Sequence, residues 1–351
     1  MHPHCLLYRK SNSKAPFRSE EGSEVSMPGL FDPLKIKGYY FKNRLVMPPM
    51  QGDHATMEGG VTEKLIEFYE QRAEGLGLMI VEHSYVSLSG QRGKRQLGIY
   101  DDHLVPGLKE LVKRIQPFNT RFVIQINHAG EKAADDLGID RVAPSATDNA
   151  REISVDEIEA IKFAFSRAAD RTVNAGFDGI EVHGAHGFLL NQFYSPLTNK
   201  RTDEYGGHLR NRMRLPLEIV REVRKRVGSK LLLYRLGSVD LQMMGTQLED
   251  SMHFAKALEQ AGVDILHVSG GMCGGSPSSL AGQEGYFFPQ AEEIRRVVDI
   301  PVIGVGGVKN PWFADEAIRD EKVDFVAVGR ALKADPFWAI KALKALKVRT
   351  P

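Results

Sequence analysis

Two histidines and one arginine are the residues whose types and positions first indicate chemistry in this sequence. His183 and His186 directly follow the apolar stretch Gly179–Val182, and Arg235 ends another apolar stretch, Leu231–Arg235. A pair of neutral imidazoles can donate hydrogen bonds to a carbonyl oxygen or an anion. The same spacing could serve a metal site, although no third ligand is evident, or backbone groups could satisfy both rings. A buried arginine requires an anion or an electronegative cofactor atom beside it.

Glycines follow the last two apolar stretches of the chain. Gly306 and Gly307 come after one of them, and Gly329 and Arg330 come after the next. Because glycine has no side chain, its backbone N–H can approach a phosphate closely, and barrel enzymes often bind phosphate in these two loops. Tight turns alone would also account for the glycines. The two loops together favour a cofactor or substrate that carries a phosphate.

Further residues of interest stand at the ends of the earlier apolar stretches. They are Pro49, Met50, Gln51, His83 and Gln125. In a parallel barrel, the residues that do chemistry lie at the carboxyl ends of the strands. We therefore expect all of these side chains to meet at one end of the fold.

The elements that must position these residues alternate between short apolar stretches and longer segments with helical periodicity. This alternation predicts βα units on a parallel sheet, and eight units are the number in a closed (β/α)8 TIM barrel. The predicted strands are Arg44–Met47, Leu78–Glu82, Phe122–Ile126, Gly179–Val182, Leu231–Arg235, Ile265–Val268, Val302–Val305 and Phe325–Val328. The predicted helices are Thr62–Glu74, Leu104–Gln116, Val155–Ala175, Arg210–Val227, Leu248–Ala261, Pro289–Val298, Pro311–Arg319 and Pro336–Leu346. We predict an α/β protein with one barrel domain.

The two ends of the predicted barrel domain differ from its repeating units. Leu30–Phe41 reads as a short hairpin that closes the bottom of the barrel. The first 27 residues are polar, mixed in charge and without the apolar core of a signal peptide, so we predict a loosely ordered extension or sequence upstream of a start at Met27. The predicted domain division is therefore 1–27 for the extension and 28–351 for the barrel.

The composition excludes several classes of function. The chain has 351 residues, and its 46 Lys+Arg against 45 Asp+Glu give a formal net charge of +1, which argues against nucleic-acid binding and against a polybasic membrane patch. Two cysteines cannot build a disulfide framework or an iron–sulfur cluster. No apolar run approaches the roughly 20 residues of a membrane helix. We expect a cytoplasmic protein that has no metal site and acts on a small molecule.

Four segments of the sequence resemble one known family, the Old Yellow Enzyme-type FMN-dependent NADH:flavin oxidoreductases, and its shorter bacterial members in particular. The longest is HGAHGFLLNQFYSPLTNKRTDEYGG at 183–207. The others are LFDPLKIKG with KNRLVMPPM near the beginning, IQINHAG at 124–130, and VDFVAVGRALKADPFW at 323–338. Together they extend from Leu30 to about Leu343. The resemblance is therefore specific and covers nearly the whole predicted barrel.

The resemblance implies bound FMN, NADPH or NADH as reductant, and hydride transfer from the flavin to an acceptor. In the family pattern, the isoalloxazine ring would contact Pro49, Met50, Gln51, His83, Gln125 and Arg235. The phosphate would contact Gly306, Gly307, Gly329 and Arg330. His183 and His186 would bind the carbonyl oxygen of an α,β-unsaturated acceptor. Relatives often form oligomers, so the resemblance also implies a homo-oligomer.

The sequence departs from the family pattern at three positions near the expected flavin. Phe188 replaces the usual tyrosine, which protonates the α-carbon of the acceptor; phenylalanine has no proton to give. Gln51 replaces a cysteine or threonine, and His83 replaces a small residue, so the ring of His83 either enters the site or points away from it. We hypothesise that another group supplies the proton: Tyr85, His83, Tyr194, Tyr286 or water.

The leading functional hypothesis is an ene-reductase that reduces the double bond of an enone or enal. The lost tyrosine leaves a second hypothesis open, namely an NAD(P)H:flavin oxidoreductase whose acceptor is a quinone, a nitro compound or oxygen, or a desaturase. A third hypothesis is a flavin-binding or phosphate-binding barrel without turnover. A phosphate-dependent aldolase or isomerase lacks a suitable lysine at a strand end.

Overall fold

A closed barrel of eight parallel strands forms the centre of the protein in a computed structural model that describes residues 27–347. In chain order, the strands are β1 Leu34–Ile36, β2 Tyr39–Phe41, β3 Leu45–Met47, β4 Leu78–Tyr85, β5 Arg121–Asn127, β6 Val142–Ala143, β7 Arg151–Glu152, β8 Gly179–Gly184, β9 Leu231–Gly237, β10 Ile265–Ser269, β11 Val302–Val305 and β12 Phe325–Ala327. The barrel order is β3-β4-β5-β8-β9-β10-β11-β12, with β12 pairing back to β3. The TIM-barrel prediction is confirmed.

Helices cover the outside of the barrel. They are α1 Glu63–Ala73, α2 Val105–Ile115, α3 Val155–Ala175, α4 Leu189–Tyr194, α5 Leu209–Arg212, α6 Arg214–Val227, α7 Leu248–Gln260, α8 Phe288–Arg295, α9 Pro311–Arg319, α10 Arg330–Ala334 and α11 Trp338–Lys347. Their apolar faces and the outward faces of the strands form one continuous core. Across residues 27–347, no helix is long and apolar enough to cross a membrane.

Local residues begin and end helix α3. The Ser154 hydroxyl accepts from the Glu157 backbone N–H, while the Glu157 carboxylate accepts from the Ser154 backbone N–H, so both bonds of a capping box are present. Gly176 ends the helix with a φ of 94°, a left-handed conformation that glycine adopts without a side-chain penalty. The local sequence therefore determines both ends of this helix.

Some elements differ from the prediction. The segment predicted as one helix over Arg210–Val227 is two helices, α5 and α6, which divide at Met213. The short helices α4 and α10 and the parallel pair β6 and β7 were not predicted. These pieces are two to six residues long, which is too short to show a hydrophobic period. The predicted extension lies outside the described residues except for Met27.

The N-terminal hairpin closes the bottom of the barrel, as predicted. β1 and β2 are antiparallel, and their turn uses Lys37 and Gly38, which both have positive φ. Phe41 packs into an apolar cluster inside the lower barrel, which also includes Val46, Leu78 and Phe325. The lower half of the barrel is therefore a sealed apolar core, and the polar residues of the interior lie above it.

A β-bulge in β4 decides which side chain enters the upper barrel. The pairing between β4 and β5 shifts register between Val81 and Ser84. Because of this shift, the Glu82 carboxylate lies against the Tyr69 hydroxyl of α1, while the next residue, His83, faces the interior. Alternation of side chains along a strand makes a one-residue shift exchange the two faces.

Candidate active site

The predicted catalytic residues meet at the carboxyl ends of neighbouring strands. Arg235 on β9 is in register with His183 on β8 and with His267 on β10. The His183 and His186 rings are perpendicular, with centroids 5.2 Å apart. A bond of 2.7 Å joins His186 Nε2 to the Ser269 hydroxyl. The end of β8 and the loop that follows it thus place two imidazoles side by side at the mouth of the barrel.

Both imidazoles are neutral at physiological pH. Burial lowers the pKa of His183 well below its usual 6.5, and His186 and Arg235 lower it further. Burial followed by the positive field of Arg235 likewise lowers the pKa of His186. A neutral imidazole carries one N–H, and His183 Nδ1 has no hydrogen-bond partner among the described residues. The pair can therefore offer hydrogen bonds to an oxygen without carrying a charge of its own.

Below the histidines lies a fully buried polar network that includes the predicted Gln125 and Arg235. Gln125 Nε2 donates to Glu181 over 2.7 Å, and His267 Nδ1 donates to the other oxygen of the same carboxylate over 2.8 Å. Burial lowers the pKa of Arg235 to about 10, although Glu181 opposes this shift, so the guanidinium stays charged at neutral pH. Gln125 Oε1 and Arg235 Nε have no partner within residues 27–347. An acceptor and a donor thus remain free here.

The ring of His83 enters the site and bonds to Gln51. Gln96 Oε1 accepts from the Arg92 backbone N–H, so its Nε2 is the donor that reaches His83 Nδ1 over 2.8 Å. Because Nδ1 accepts, the proton of the neutral ring is on Nε2, which donates to Gln51 Oε1 over 3.0 Å. Burial and the charges of Arg92 and Arg235 lower the pKa of His83 to about 3. This chain fixes the tautomer of His83 and the direction of the Gln51 amide.

Phe188 lies between two of the imidazoles. Its ring centroid is 4.9 Å from that of His183 and 5.1 Å from that of His83. The three tyrosines considered as substitute proton donors have hydroxyl groups engaged elsewhere: Tyr85 with the Glu58 carbonyl, Tyr194 with Ser251, and Tyr286 with the Gly275 carbonyl and Arg330. Of the four side chains considered, only His83 packs against Phe188.

The glycine loops after β11 and β12 form the far side of the site. Gly306 and Gly307 have φ values of 137° and 68°, and a Cβ on either would come within 3.0 Å of the Tyr286 ring or of backbone. Within the described residues, the backbone N–H groups of Gly306, Gly307 and Gly329 donate to no acceptor. Arg330 extends from the next loop and bonds to the Ser276 hydroxyl. Free N–H groups beside an arginine fit a phosphate.

The residues after β3 lie next to the glycine loops. Pro49 is buried, and Met50 packs over Gly329, where a Cβ would lie 2.9 Å from the Met50 sulfur. The Lys333 ammonium holds the Gln51 carbonyl oxygen over 2.9 Å. All twelve predicted site residues therefore lie at the carboxyl end of the barrel.

Sequence reasoning missed the supporting residues of this site. Glu181, His267, Gln96 and Lys333 hold the predicted residues in place but were not singled out. Glu181 and His267 carried a usable signal, because each is an ionisable residue inside an apolar strand, where burial without a partner is costly. Gln96 and Lys333 lie in segments without such a signal.

Across residues 27–347, no group of three or more His, Cys, Asp or Glu side chains is arranged to hold a metal ion. The site instead joins a free amide oxygen and a guanidinium to a phosphate-compatible loop. This combination fits a flat heterocycle whose polar edge needs both a donor and an acceptor and whose tail ends in phosphate, as in FMN. The fold and the site thus define a barrel of the flavin oxidoreductase class.

The comparisons with known proteins agree with this class. Residues 29–348 match the NADH:flavin oxidoreductase / NADH oxidase family, and the chain belongs to that family. It is 41% identical over 329 residues to an NADH oxidase of Thermoanaerobacter brockii and 38% identical over 325 residues to an NADPH dehydrogenase of Geobacillus sp. (strain WCH70). Each alignment covers 90% of this chain. The predicted Old Yellow Enzyme-type resemblance, the FMN-dependent oxidoreductase class and the NADPH or NADH requirement are confirmed.

The lengths of these relatives differ. The chain spans about half of the NADH oxidase, 50%, but 94% of the NADPH dehydrogenase. Among solved structures, an old yellow enzyme homologue from Zymomonas mobilis superposes with a TM-score of 0.79 at 26% identity, covering 92% of this chain and 94% of that one. The likeness to this structure and to the NADPH dehydrogenase therefore extends over nearly the full length of both relatives.

Proposed function

We propose that this protein is an ene-reductase, which uses NADPH or NADH to reduce the activated carbon–carbon double bond of an enone or enal. The observation that carries the proposal is the pair of neutral imidazoles, His183 and His186, at the mouth of the barrel beside Arg235. Two neutral donors stabilise the negative charge that develops on a carbonyl oxygen when its conjugated alkene is reduced.

The residues present fit FMN, which when bound supplies the hydride that passes from NAD(P)H to the acceptor. Gln125 Oε1 would accept from the pyrimidine edge of the ring, and Arg235 would face its electron-rich side. Pro49, Met50, Gln51 and His83 would line the ring. The phosphate would lie against Gly306, Gly307, Gly329 and Arg330, where free N–H groups and a guanidinium are available.

The proton for the α-carbon must come from a group other than Phe188. His83 is the considered side chain whose ring contacts Phe188, and its Nε2 carries a hydrogen that would have to leave Gln51 Oε1 to reach the acceptor. We therefore assign the proton to His83 or to a water molecule beside it. Donation by a neutral imidazole is less favourable than donation by a phenol, so we expect slow proton delivery.

Phe188 also supports a second candidate function. Quinones, nitro compounds and oxygen need no proton on an α-carbon, so an NAD(P)H:flavin oxidoreductase that uses such an acceptor loses little by lacking the tyrosine. A desaturase, which runs the reaction in reverse, is a further form of this candidate. The oxidoreductase would share the flavin site and differ from an ene-reductase in the acceptor, whereas the desaturase would differ in the direction of hydride transfer.

An anaerobic absorbance titration separates these functions. Purified protein with bound flavin is titrated with NADH and with NADPH, and 2-cyclohexen-1-one is then added. Bleaching followed by return of the flavin colour supports the ene-reductase, whereas return only with a quinone or oxygen shows a different acceptor. If neither NADH nor NADPH bleaches the flavin, a flavin-binding barrel without turnover is favoured.

A variant adds a second arm to this experiment. Phe188→Tyr restores a phenol at the usual position, so reoxidation by 2-cyclohexen-1-one should accelerate by about tenfold or more, while reduction of the flavin by NAD(P)H stays unchanged. An equal rate for both proteins would show that proton delivery does not limit the wild-type enzyme.

A further inference from the structure

An open cleft extends outward from the histidine pair, on the side of Phe188. Its volume is about 620 Å³, and its walls include His186, Phe188 and the backbone of Gly274 and Gly275. A volume of this size accommodates a small organic molecule or a substantial part of one. Because the cleft begins at the residues assigned to the acceptor carbonyl, the outer part of the acceptor must lie in it.

Two cations in this cleft lack a carboxylate partner. Within the described residues, the Arg92 guanidinium makes neither an ion pair nor a hydrogen bond; only its backbone N–H and C=O are engaged. The Lys132 ammonium donates to the His186 carbonyl over 2.6 Å and lies 5.8 Å from the centre of the Phe188 ring. Neither contact neutralises a positive charge.

The acidic residues of the cleft are engaged with other groups. The Asp135 carboxylate pairs with Arg141, and the Glu131 carboxylate accepts a hydrogen bond from the Thr147 hydroxyl over 2.8 Å. Desolvation and the charge of Arg92 lower the pKa of Lys132, and Glu131 offsets this only in part. Arg92 and Lys132 therefore repel each other, and a bound anion would relieve that repulsion.

The two cations also act on the groups that contact the acceptor. The charge of Lys132 contributes to the lowered pKa of His186, and that of Arg92 contributes to the lowered pKa of His83. Their positive field thus reaches from the cleft to the site of reduction. An acceptor held by the histidine pair lies within this field.

We propose that Arg92 and Lys132 form a binding subsite for an anionic group, a carboxylate or a phosphate, on the acceptor. The preferred substrates are then enones or enals with a negatively charged substituent on the part that extends into the cleft. This inference rests on the proposed ene-reductase function and narrows its substrate class. The phosphates of NAD(P)H are a second source of the same chemistry, so the test must separate the two.

The test compares an acid with its own ester. (E)-7-Oxooct-5-enoate and its methyl ester present the same enone, which three methylene groups separate from the carboxyl group, and they differ in one charge. Their kcat/KM values are measured with NADPH for the wild type and for Arg92→Gln, which removes the charge without removing a structural contact. We expect the wild type to prefer the acid and the variant to lose about tenfold in the acid-to-ester ratio, as expected for one charge-assisted contact.

Two further variants serve as controls. Arg92→Lys keeps the charge and should retain most of the preference for the acid. Lys94→Gln removes a charge from the same loop, but this lysine pairs with Asp136 and lies outside the cleft, so the ratio should stay unchanged. An equal loss in Lys94→Gln would assign the effect to net charge and overturn the subsite.

The remaining outcomes are also distinguishable. An unchanged ratio in Arg92→Gln overturns the proposal. If that unchanged ratio accompanies weaker NADPH binding, measured by rapid anaerobic mixing, the anion at Arg92 is a dinucleotide phosphate instead. If NADPH bleaches the flavin and neither the acid nor the ester restores its colour, the ene-reductase function itself fails.

Discussion

Glu181 acts on three residues of this site at once: Gln125, His267 and Arg235. Its carboxylate is fully buried, orients Gln125 and His267 through both oxygens, and provides the negative charge that opposes Arg235. A positive charge beside the flavin favours the reduced form, which is more negative than the oxidised form. With FMN bound beside Arg235 as proposed, Glu181 would partly cancel the effect of Arg235 and lower the reduction potential of the flavin.

Replacing Glu181 with a neutral residue tests this role. Glu181→Gln should raise the two-electron midpoint potential of bound FMN by about 30 mV or more, which corresponds to ~1.4 kcal/mol. The potential is measured by equilibration with reference dyes, and tighter binding of sulfite to the oxidised flavin gives a second readout.

Glu181→Asp serves as the control because it keeps the charge. Its potential should stay close to that of the wild type even where flavin binding weakens. Equal potentials in all three proteins would show that Glu181 is structural only.

At the level of elements, the loop between β8 and α4 orients His186 against His183, which lies on β8 itself. His186 has a φ of 59°, which is uncommon for a residue with a side chain, and Gly187 follows with 71°. Three side-chain bonds hold this turn: Lys132 Nζ to the His186 carbonyl, the Gly187 N–H to Asn191 Oδ1, and Gln192 Nε2 to the Gly187 carbonyl. The short helix α4 thus helps to position the His186 imidazole.

Removing one of these bonds should separate activity from stability. Asn191→Ala leaves the Gly187 N–H without its partner, so we expect kcat/KM for an enone to fall about tenfold, because a small displacement of the oxygen-binding groups is costly. Reduction of the flavin by NADPH should change less than twofold.

Ser154→Ala is the matched control. It removes the cap of α3, away from the site, and should cost about 1 kcal/mol of stability without changing kcat/KM. If both variants lose activity in proportion to their loss of stability, the loop has no special role.

At the level of the whole molecule, the upper barrel concentrates groups that resist protonation. Besides the partly exposed His54, five histidines have lowered pKa values, in each case mainly because of burial: His83, His128, His183, His186 and His267. In the unfolded chain each takes up a proton as the pH falls through about 6.5. The folded state resists protonation of these rings. Their contribution to the free energy of unfolding is therefore fully present above pH 6.5 and is lost as the pH falls below that value.

We therefore expect the free energy of unfolding to decrease between pH 7 and pH 5.5, by on the order of 1 kcal/mol for each of these histidines. Glu82 acts in the opposite direction, because burial raises its pKa to about 7 and its penalty diminishes as the pH falls. Urea denaturation of the FMN-loaded protein at several pH values measures the free energy of unfolding, which contains the contributions of the histidines and of Glu82 together.

A single substitution isolates one of these histidines. His128→Asn keeps an acceptor for the Gly130 N–H and removes the titrating ring, whose folded pKa is about 4. The slope of the free energy of unfolding against pH gives the number of protons taken up on unfolding. This number should be smaller in the variant than in the wild type by about one. An identical slope would contradict the contribution assigned to His128.

The sequence by itself determined the barrel and the residues at its mouth. The eight units can be recognised locally. Each strand is buried on both faces and therefore shows as a short apolar run, and each helix carries an apolar stripe that shows as a helical period. The polar residues at strand ends could be located because the carboxyl ends of parallel strands must meet. The resemblance to the flavin oxidoreductases supplied the cofactor, which spacing alone could not.

Only the tertiary structure decided how those residues are connected. The bulge in β4 turns His83 inward, Gln96 and Gln51 fix its tautomer, and Glu181 links Gln125 to His267. The two cations without a carboxylate partner likewise became visible only when the structure showed that Arg92 and Lys132 line the same cleft. These features depend on register and on contacts between residues tens of positions apart, and a local pattern contains no information about either.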